Sequence, residues 1–422
     1  MSQVQVAPAT PATAVAPAVT TSPPAAVPSP AEDTPKLLNR WLLVAVAAGV
    51  LFGLLAALWQ LLAWQAAGRA ADESEQLVRV QEIRSSLFRA DALASTAYLV
   101  GGLESPDSRA SYDAAVDRAL VLVADAAEAQ PADRAALGEL NTAISAYADD
   151  VTQARAANRE GDQVGAEYLR LAGAALAADG DLARPLDALV TANTERAEDE
   201  MDGQNTLPIL LTGLLALGAL WWVNRQLARR FHRRYNVGLV VAAAVVAALT
   251  VVTAGYSAWV NGRHEEIRDN SFQRAFDEAG SRSAGSQAKA AEARRLIARS
   301  SGEGADDAWA AAAAVVADSA DEVTLPLWDD YAGLHEELVD LDDAGDWAAA
   351  VELATEGGAG TAIDAFDAAS SDVVADAAAT TADDLRASRP VGLILIVLTL
   401  LGGLAAWGAA TWGIAQRRRE FA

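Results

Sequence analysis

Four stretches of this chain carry no charged residue, and each is long enough to cross a membrane as a helix. They are residues 41–64 (WLLVAVAAGVLFGLLAALWQLLAW), 207–223 (LPILLTGLLALGALWWV), 237–260 (VGLVVAAAVVAALTVVTAGYSAWV) and 391–415 (VGLILIVLTLLGGLAAWGAATWGIA). At about 1.5 Å of rise per residue, each covers a hydrocarbon layer of roughly 30 Å, the second only just. The core of a soluble protein does not supply four such runs in 422 residues. The first run exceeds the apolar segment of a signal peptide and follows a 40-residue tail, so it is expected to remain in the mature chain. Eight of the eleven tryptophans (Trp41, Trp59, Trp64, Trp221, Trp222, Trp259, Trp407 and Trp412) lie in or at the ends of these runs, where an amphipathic ring prefers to sit.

The charges between the spans set an orientation. Residues 1–40, the short loop 224–236 and the tail 416–422 together hold 10 bases and 3 acids. Residues 65–206 hold 12 bases against 26 acids, and residues 261–390 hold 10 against 28. An excess of Arg and Lys on cytoplasmic loops predicts both termini and the Arg-rich loop inside, with the two long acidic segments outside. The net charge of −25 argues against nucleic acid as a partner.

Both acidic segments read as helix. Ala, Leu, Glu, Asp and Arg dominate them, and apolar residues recur at three and four positions (Leu77, Val80, Ile83, Leu87; Leu334, Leu338, Leu341). Gly and Pro break them at 101–106, 130–131, 161, 302–304, 326 and 345, leaving about four pieces in each. The outer pieces run into the spans without a strong breaker apart from Pro208 and Pro390. The expected fold is therefore an all-α membrane protein: four transmembrane helices and two extracytoplasmic antiparallel bundles. The two halves also look like copies. Tyr147 precedes Gly161-Asp162 by the same spacing that separates Tyr331 from Gly345-Asp346, and both pairs open an alanine-rich helix. The offset of 184 equals that between the second and fourth spans (207 to 391), whereas the first and third spans differ by 196 (41 to 237). A duplicated span–bundle–span unit follows, its second copy shortened between the first external helix and Tyr331.

In each Gly-Asp pair the glycine should end one helix in the left-handed region and the aspartate should cap the next. These turns fall at the membrane-distal end of an up-and-down bundle, together with 101–106 and 300–306. Candidate partner-binding residues at the tips are therefore Asp343, Gly345, Asp346, Trp347, Arg159, Gly161 and Asp162. Trp347 either presents an exposed aromatic anchor or packs down on the bundle end.

The residue inventory excludes much chemistry. With no cysteine and three scattered histidines (His232, His264, His335), the chain has no material for a thiolate or histidine-built metal site or a Ser-His-Asp relay. LDDAGDW (341–347) lacks the alternating ligands and terminal glutamate of a calcium loop. The carboxylates follow a helical period, as a solvated face does. No acid, base or histidine, such as would mark a transport route, lies in the spans. No enzyme activity, cofactor or metal is expected. Gly49-xxx-Gly53 is a close-packing motif, for a second copy or, preferentially, for another span of the same chain. Arg225, Arg229, Arg230, Arg233 and Arg234 form a lipid-headgroup contact and topology signal, and also the one sizeable anchored surface for a cytoplasmic partner. Residues 1–36 form a Pro/Ala-rich tail expected to be disordered; its stretch 8–35 holds eight prolines and seven Ser/Thr.

YLVGGLESPDSRASY (98–112), ARAANREGDQVGAEYLR (154–170) and LDDAGDWAAAVELA (341–354), set in this four-span frame, resemble the actinobacterial GlnX-type membrane proteins from about residue 37 to the end. The external segments are also similar to the four-helix sensory bundles of chemoreceptors. The resemblance implies a relay that senses external aspartate, glutamate or glutamine through a binding lipoprotein and controls a cytoplasmic serine/threonine kinase of the protein kinase G type. It transfers no ligand residues. A non-signalling structural or interaction protein of the cell envelope is the alternative reading, and a membrane enzyme or transporter subunit is disfavoured.

Overall fold

A computed structural model describes residues 34–161, 164–202, 206–231, 235–299 and 303–420. Its described residues are helical apart from short turns, with no strand among them. Helix α1 (Thr34–Val100) runs unbroken from the first span into the first bundle, 67 residues or about 100 Å of rod. It is followed by α2 (Pro106–Ala129), a 3₁₀ turn (Pro131–Asp133), α3 (Arg134–Glu160), α4 (Val164–Leu176), α5 (Ala183–Asp202) and the second span in α6 (Leu207–Phe231). The second half repeats the order. Span three is α7 (Val237–Ile267), continued through one π turn (Arg268–Phe272) into α8 (Gln273–Ala298). Then come α9 (Glu303–Ser319), α10 (Leu325–Asp343), α11 (Trp347–Thr355), α12 (Gly358–Ala387) and the fourth span in α13 (Arg389–Glu420).

The halves therefore match piece for piece. Tyr147 on α3 and Tyr331 on α10, the residues that suggested duplication, are both fully buried. The shortening lies where expected: α9 has 17 residues where α2 has 24, and α10 has 19 where α3 has 27. Each bundle has four legs, but the fourth is broken in two, at 177–182 in the first and at 356–357 in the second. Pro208 and Pro390 occupy the first turns of α6 and α13, where a missing N–H costs nothing.

α1, α6, α7 and α13 are long and apolar enough to cross a membrane, and the chain is a multi-pass membrane protein. Leu43, Leu54, Leu214, Leu215 and Val251 point outward, as lipid-facing residues do. In the membrane layer α1 packs on α13 and α6, and α7 packs on the same two helices, so the spans close a ring in which the two spans of each half are neighbours. Gly49 and Gly53 face α13 of the same chain: a Cβ on Gly53 would lie 2.9 Å from the Gly403 Cα, and one on Gly49 would lie 3.1 Å from the Trp407 N. This close-packing motif thus joins the first span to the fourth, the preferred of the two alternatives. Gln60 adds a buried hydrogen bond to Thr399 Oγ1 at 3.0 Å.

Gly53→Leu should overpack this crossing and cost about 1–3 kcal/mol, read as a lower thermal midpoint in detergent. Gly255→Leu, where a Cβ meets open space, should leave the midpoint unchanged.

Candidate functional site

Outside the membrane the two bundles are not independent. α8 lies against α1 along its length, and α12 touches α1 as well. Small residues permit the approach: Ser85 and Ser86 on α1 and Ala279, Ser283, Ser286, Ala290 and Ala293 on α8 are all buried. Ser85 Oγ and Ser283 Oγ are 2.9 Å apart. Around this point lies a chain of ion pairs. Arg282 of α8 reaches Glu82 at 2.6 Å and Asp367 at 2.8 Å, and Arg89 of α1 reaches the same Asp367 at 2.6 Å and Asp364 at 3.1 Å. Nearer the tips, Arg294 of α8 enters the first bundle and pairs with the buried Asp91 of α1. Burial raises the Asp91 carboxyl above its usual range, and Arg294 only partly offsets this. The seam therefore holds charges that neither bundle satisfies alone.

The second bundle contains a further buried network. Glu292 on α8 accepts Lys289 Nζ at 2.6 Å and the Tyr331 hydroxyl at 3.0 Å, with His335 Nδ1 3.0 Å from the same oxygen as the tyrosine. Lys289 also donates to the Ala354 carbonyl at 2.9 Å. Trp309 stacks on His335 with ring centres 4.0 Å apart, and Trp328 and Phe366 close the apolar side. Burial works to raise the Glu292 carboxyl, but Lys289 and His335 outweigh it and hold it below its usual value. Burial and Glu292 together hold the Tyr331 phenol well above its own. Glu292, Asp91 and Asp367, read from the sequence as part of a solvated face, are buried. For Asp91 and Asp367 that expectation fails because other helices, at a sequence distance no helical period reveals, supply their cations; Glu292, paired with Lys289 three residues away on its own helix, is covered by Tyr331 and His335 of α10.

The predicted tip residues divide. Gly161 and Gly345 adopt left-handed φ values of 71° and 86° and end α3 and α10, and Asp346 caps α11 by accepting from the Ala349 N–H at 3.3 Å. Asp162 lies outside the described residues. Trp347 is half-buried, donates from Nε1 to the Leu296 carbonyl at 2.9 Å, and carries the Arg299 guanidinium over its ring at 4.2 Å. Of its two readings the packed one holds: the indole closes the end of α8. Asp343 is engaged by Arg295 at 2.5 Å, which also holds Asp306 at 2.7 Å and Asp342 at 3.2 Å. These aspartates thus serve one arginine. Leu99 packs with Leu296, Leu338, Ala350 and Ala354, so the two tips are contiguous.

Arg159 sits at the end of α3 beside a cavity of about 210 Å³ that also borders Tyr98, Glu104, Arg109, Arg155 and Asn158. Two consecutive left-handed glycines, Gly101 and Gly102, turn the chain out of α1 here, and Ser105 caps α2 by accepting from the Ser108 N–H. Leu103 in this turn is 83% exposed. Sequence reasoning quoted this segment but did not single out Glu104, Arg109 or Arg155; two arginines placed one turn apart at 155 and 159 were the signal available.

At the opposite end, Asn236 caps α7 by accepting from the Gly238 N–H at 3.0 Å and donates to the Gly413 carbonyl of α13 at 2.9 Å. Its own N–H donates to Asn224 Oδ1 of α6 at 3.1 Å. The Arg-rich loop is thus tied to three spans at once. Arg225 lies over the Trp221 ring at 5.3 Å, Arg229 and Arg230 are exposed, and Arg233 and Arg234 lie outside the described residues.

Because Glu292 is held below its usual value, its contribution is present above the unfolded-state pKa near 4.3 and is lost as pH falls through the folded value. Glu292→Gln leaves Lys289 buried without its counter-ion and should cost about 3–5 kcal/mol at neutral pH. The gap from wild type in chemical denaturation should stay constant down to about pH 5 and narrow below about pH 4.

Residues 66–202 match the family model of the actinobacterial sensor domain. That stretch begins beyond the first apolar run of α1 and ends with α5, so it coincides with the first bundle. No curated protein and no solved structure matches the chain. The match supports an actinobacterial sensor protein and a sensing role for the first helical bundle.

Proposed function

We propose that this chain is a transmembrane signal relay with both termini in the cytoplasm. It senses extracellular aspartate, glutamate or glutamine through a binding lipoprotein that docks on the contiguous bundle tips. It controls a cytoplasmic serine/threonine kinase through the Arg-rich loop, which also contacts lipid headgroups. The observation that carries this reading is the continuous rod of α1, which joins the tip to the first span and is clamped to α8, itself continuous with the third span but for one π turn. A displacement at the tips then has these two rods to travel along, and a shift of about 1–2 Å is typical of helices in switching proteins. The charge distribution supports the orientation, the sensor-domain match supports the sensing role, and the resemblance to GlnX-type proteins supplies the partners. The tether of Asn236 to α6 and α13 gives the movement a place to arrive. A purely structural envelope protein would need no such tether. Docking is expected to use Arg159 and the exposed Leu103 more than Trp347, which is committed to Leu296.

The absence of native cysteine makes a direct test practical. Oxidised Ser85→Cys/Ser283→Cys should pin α1 to α8. In membranes reconstituted with the lipoprotein and the kinase, kinase output should follow external amino acid in wild type. It should stop following it in the oxidised variant and recover on reduction. Output that still follows the amino acid in the locked protein contradicts the relay.

A further inference from the structure

The cavity at the tip of the first bundle has the composition of a ligand site. Three arginines and one glutamate border it, within a segment whose 26 acids outnumber its 12 bases more than two to one. Arg155 is the inner one, its side chain 13% exposed. Its Nη2 holds Glu104 at 2.9 Å and its guanidinium lies 4.0 Å over the Tyr112 ring. Its Nε and Nη1, however, are buried and have no acceptor. These two donors are shut off from solvent, so what Arg155 gives the cavity is its positive charge. Arg159 at the mouth is exposed, and Arg109 is drawn toward Asp113 at 3.1 Å. Asn158 donates to the Tyr98 carbonyl at 3.1 Å and so fixes the end of α3 against the end of α1.

We infer that this cavity binds a short monocarboxylate directly on this chain. Its volume of about 210 Å³ corresponds to on the order of seven water molecules at ~30 Å³ each, which suits a small organic acid. Glu104 already shows an arginine of this wall holding one carboxylate, and the exposed Arg159 guanidinium offers the same bond to a second. The Glu104 charge disfavours a dianion. Ala94, Ala97, Val151 and Leu169 give a short aliphatic body an apolar wall. Occupancy would draw the α1–α2 turn towards α3 beside Leu99, the residue through which the first tip touches the second. The inference deepens the sensing role proposed above by placing a ligand on the chain itself. Its failure would leave the seam-based relay, which the cysteine lock tests, untouched.

The test is ligand-induced thermal stabilisation of the full chain in detergent, titrated with propionate, with lactate and with inorganic phosphate. Saturable stabilisation by propionate or lactate, absent with phosphate, is expected. Arg155→Gln should raise the apparent Kd about tenfold, the loss of a positive charge beside the bound carboxylate. Arg159→Gln, at an exposed position, should weaken binding without lowering the ligand-free midpoint, and so separates binding from folding. No stabilisation by either carboxylate, equal stabilisation by phosphate, or an unchanged Kd in both variants overturns the inference.

Discussion

Outside the membrane, the structure depends on the packing of α1 against α8. These are the two helices that rise from the first and third spans, one from each half of the duplication. Their seam is made of serine and alanine, so the backbones come close, and the long side chains beside it carry opposite charges that meet across the halves. Separating the bundles would leave Asp91 buried without its cation and would strip Arg282 of Glu82. Breaking a buried pair costs roughly 3–5 kcal/mol, so the two bundles behave as one body even though each has its own apolar cluster.

The same seam explains how the halves have diverged. α1 is a plain helix throughout, whereas its counterpart contains the π turn at Arg268–Phe272, where Ser271 meets Thr381 of α12 at 2.9 Å. Such turns concentrate where a helix must be re-aimed or must move. The first bundle keeps a cavity bordered by arginines at its tip, while the second fills its interior with Trp309, Trp328, Tyr331 and His335 around Glu292.

Much of this was legible in the residues. The uncharged runs gave the spans, the Gly-Asp pairs gave the turns, and Gly49-xxx-Gly53 pointed to a helix crossing whose partner in the same chain is Gly403. What escaped sequence reasoning is tertiary. Asp91 follows a helical period like its exposed neighbours and differs from them in having Arg294 placed against it by packing; Glu292, whose Lys289 lies three residues away on its own helix, differs in being covered by Tyr331 and His335. His335, isolated in the sequence, gains a carboxylate and an indole from two other helices. Trp347 left two readings open because a tryptophan after a turn serves equally as anchor or staple; the free carbonyl at Leu296 decided it.

The central claim is that a change at the α1–α8 seam is felt at the Arg-rich end of the spans. It is tested most directly by the rate at which a maleimide labels Tyr235→Cys, an exposed position beside that loop, in nanodiscs with and without Arg282→Ala. Coupling free energies of about 1–3 kcal/mol correspond to changes of roughly 5- to 150-fold. The account predicts a shift in labelling rate of at least about fivefold when the seam is weakened, with insertion unchanged. An identical rate, in a variant whose seam has demonstrably loosened, would contradict it.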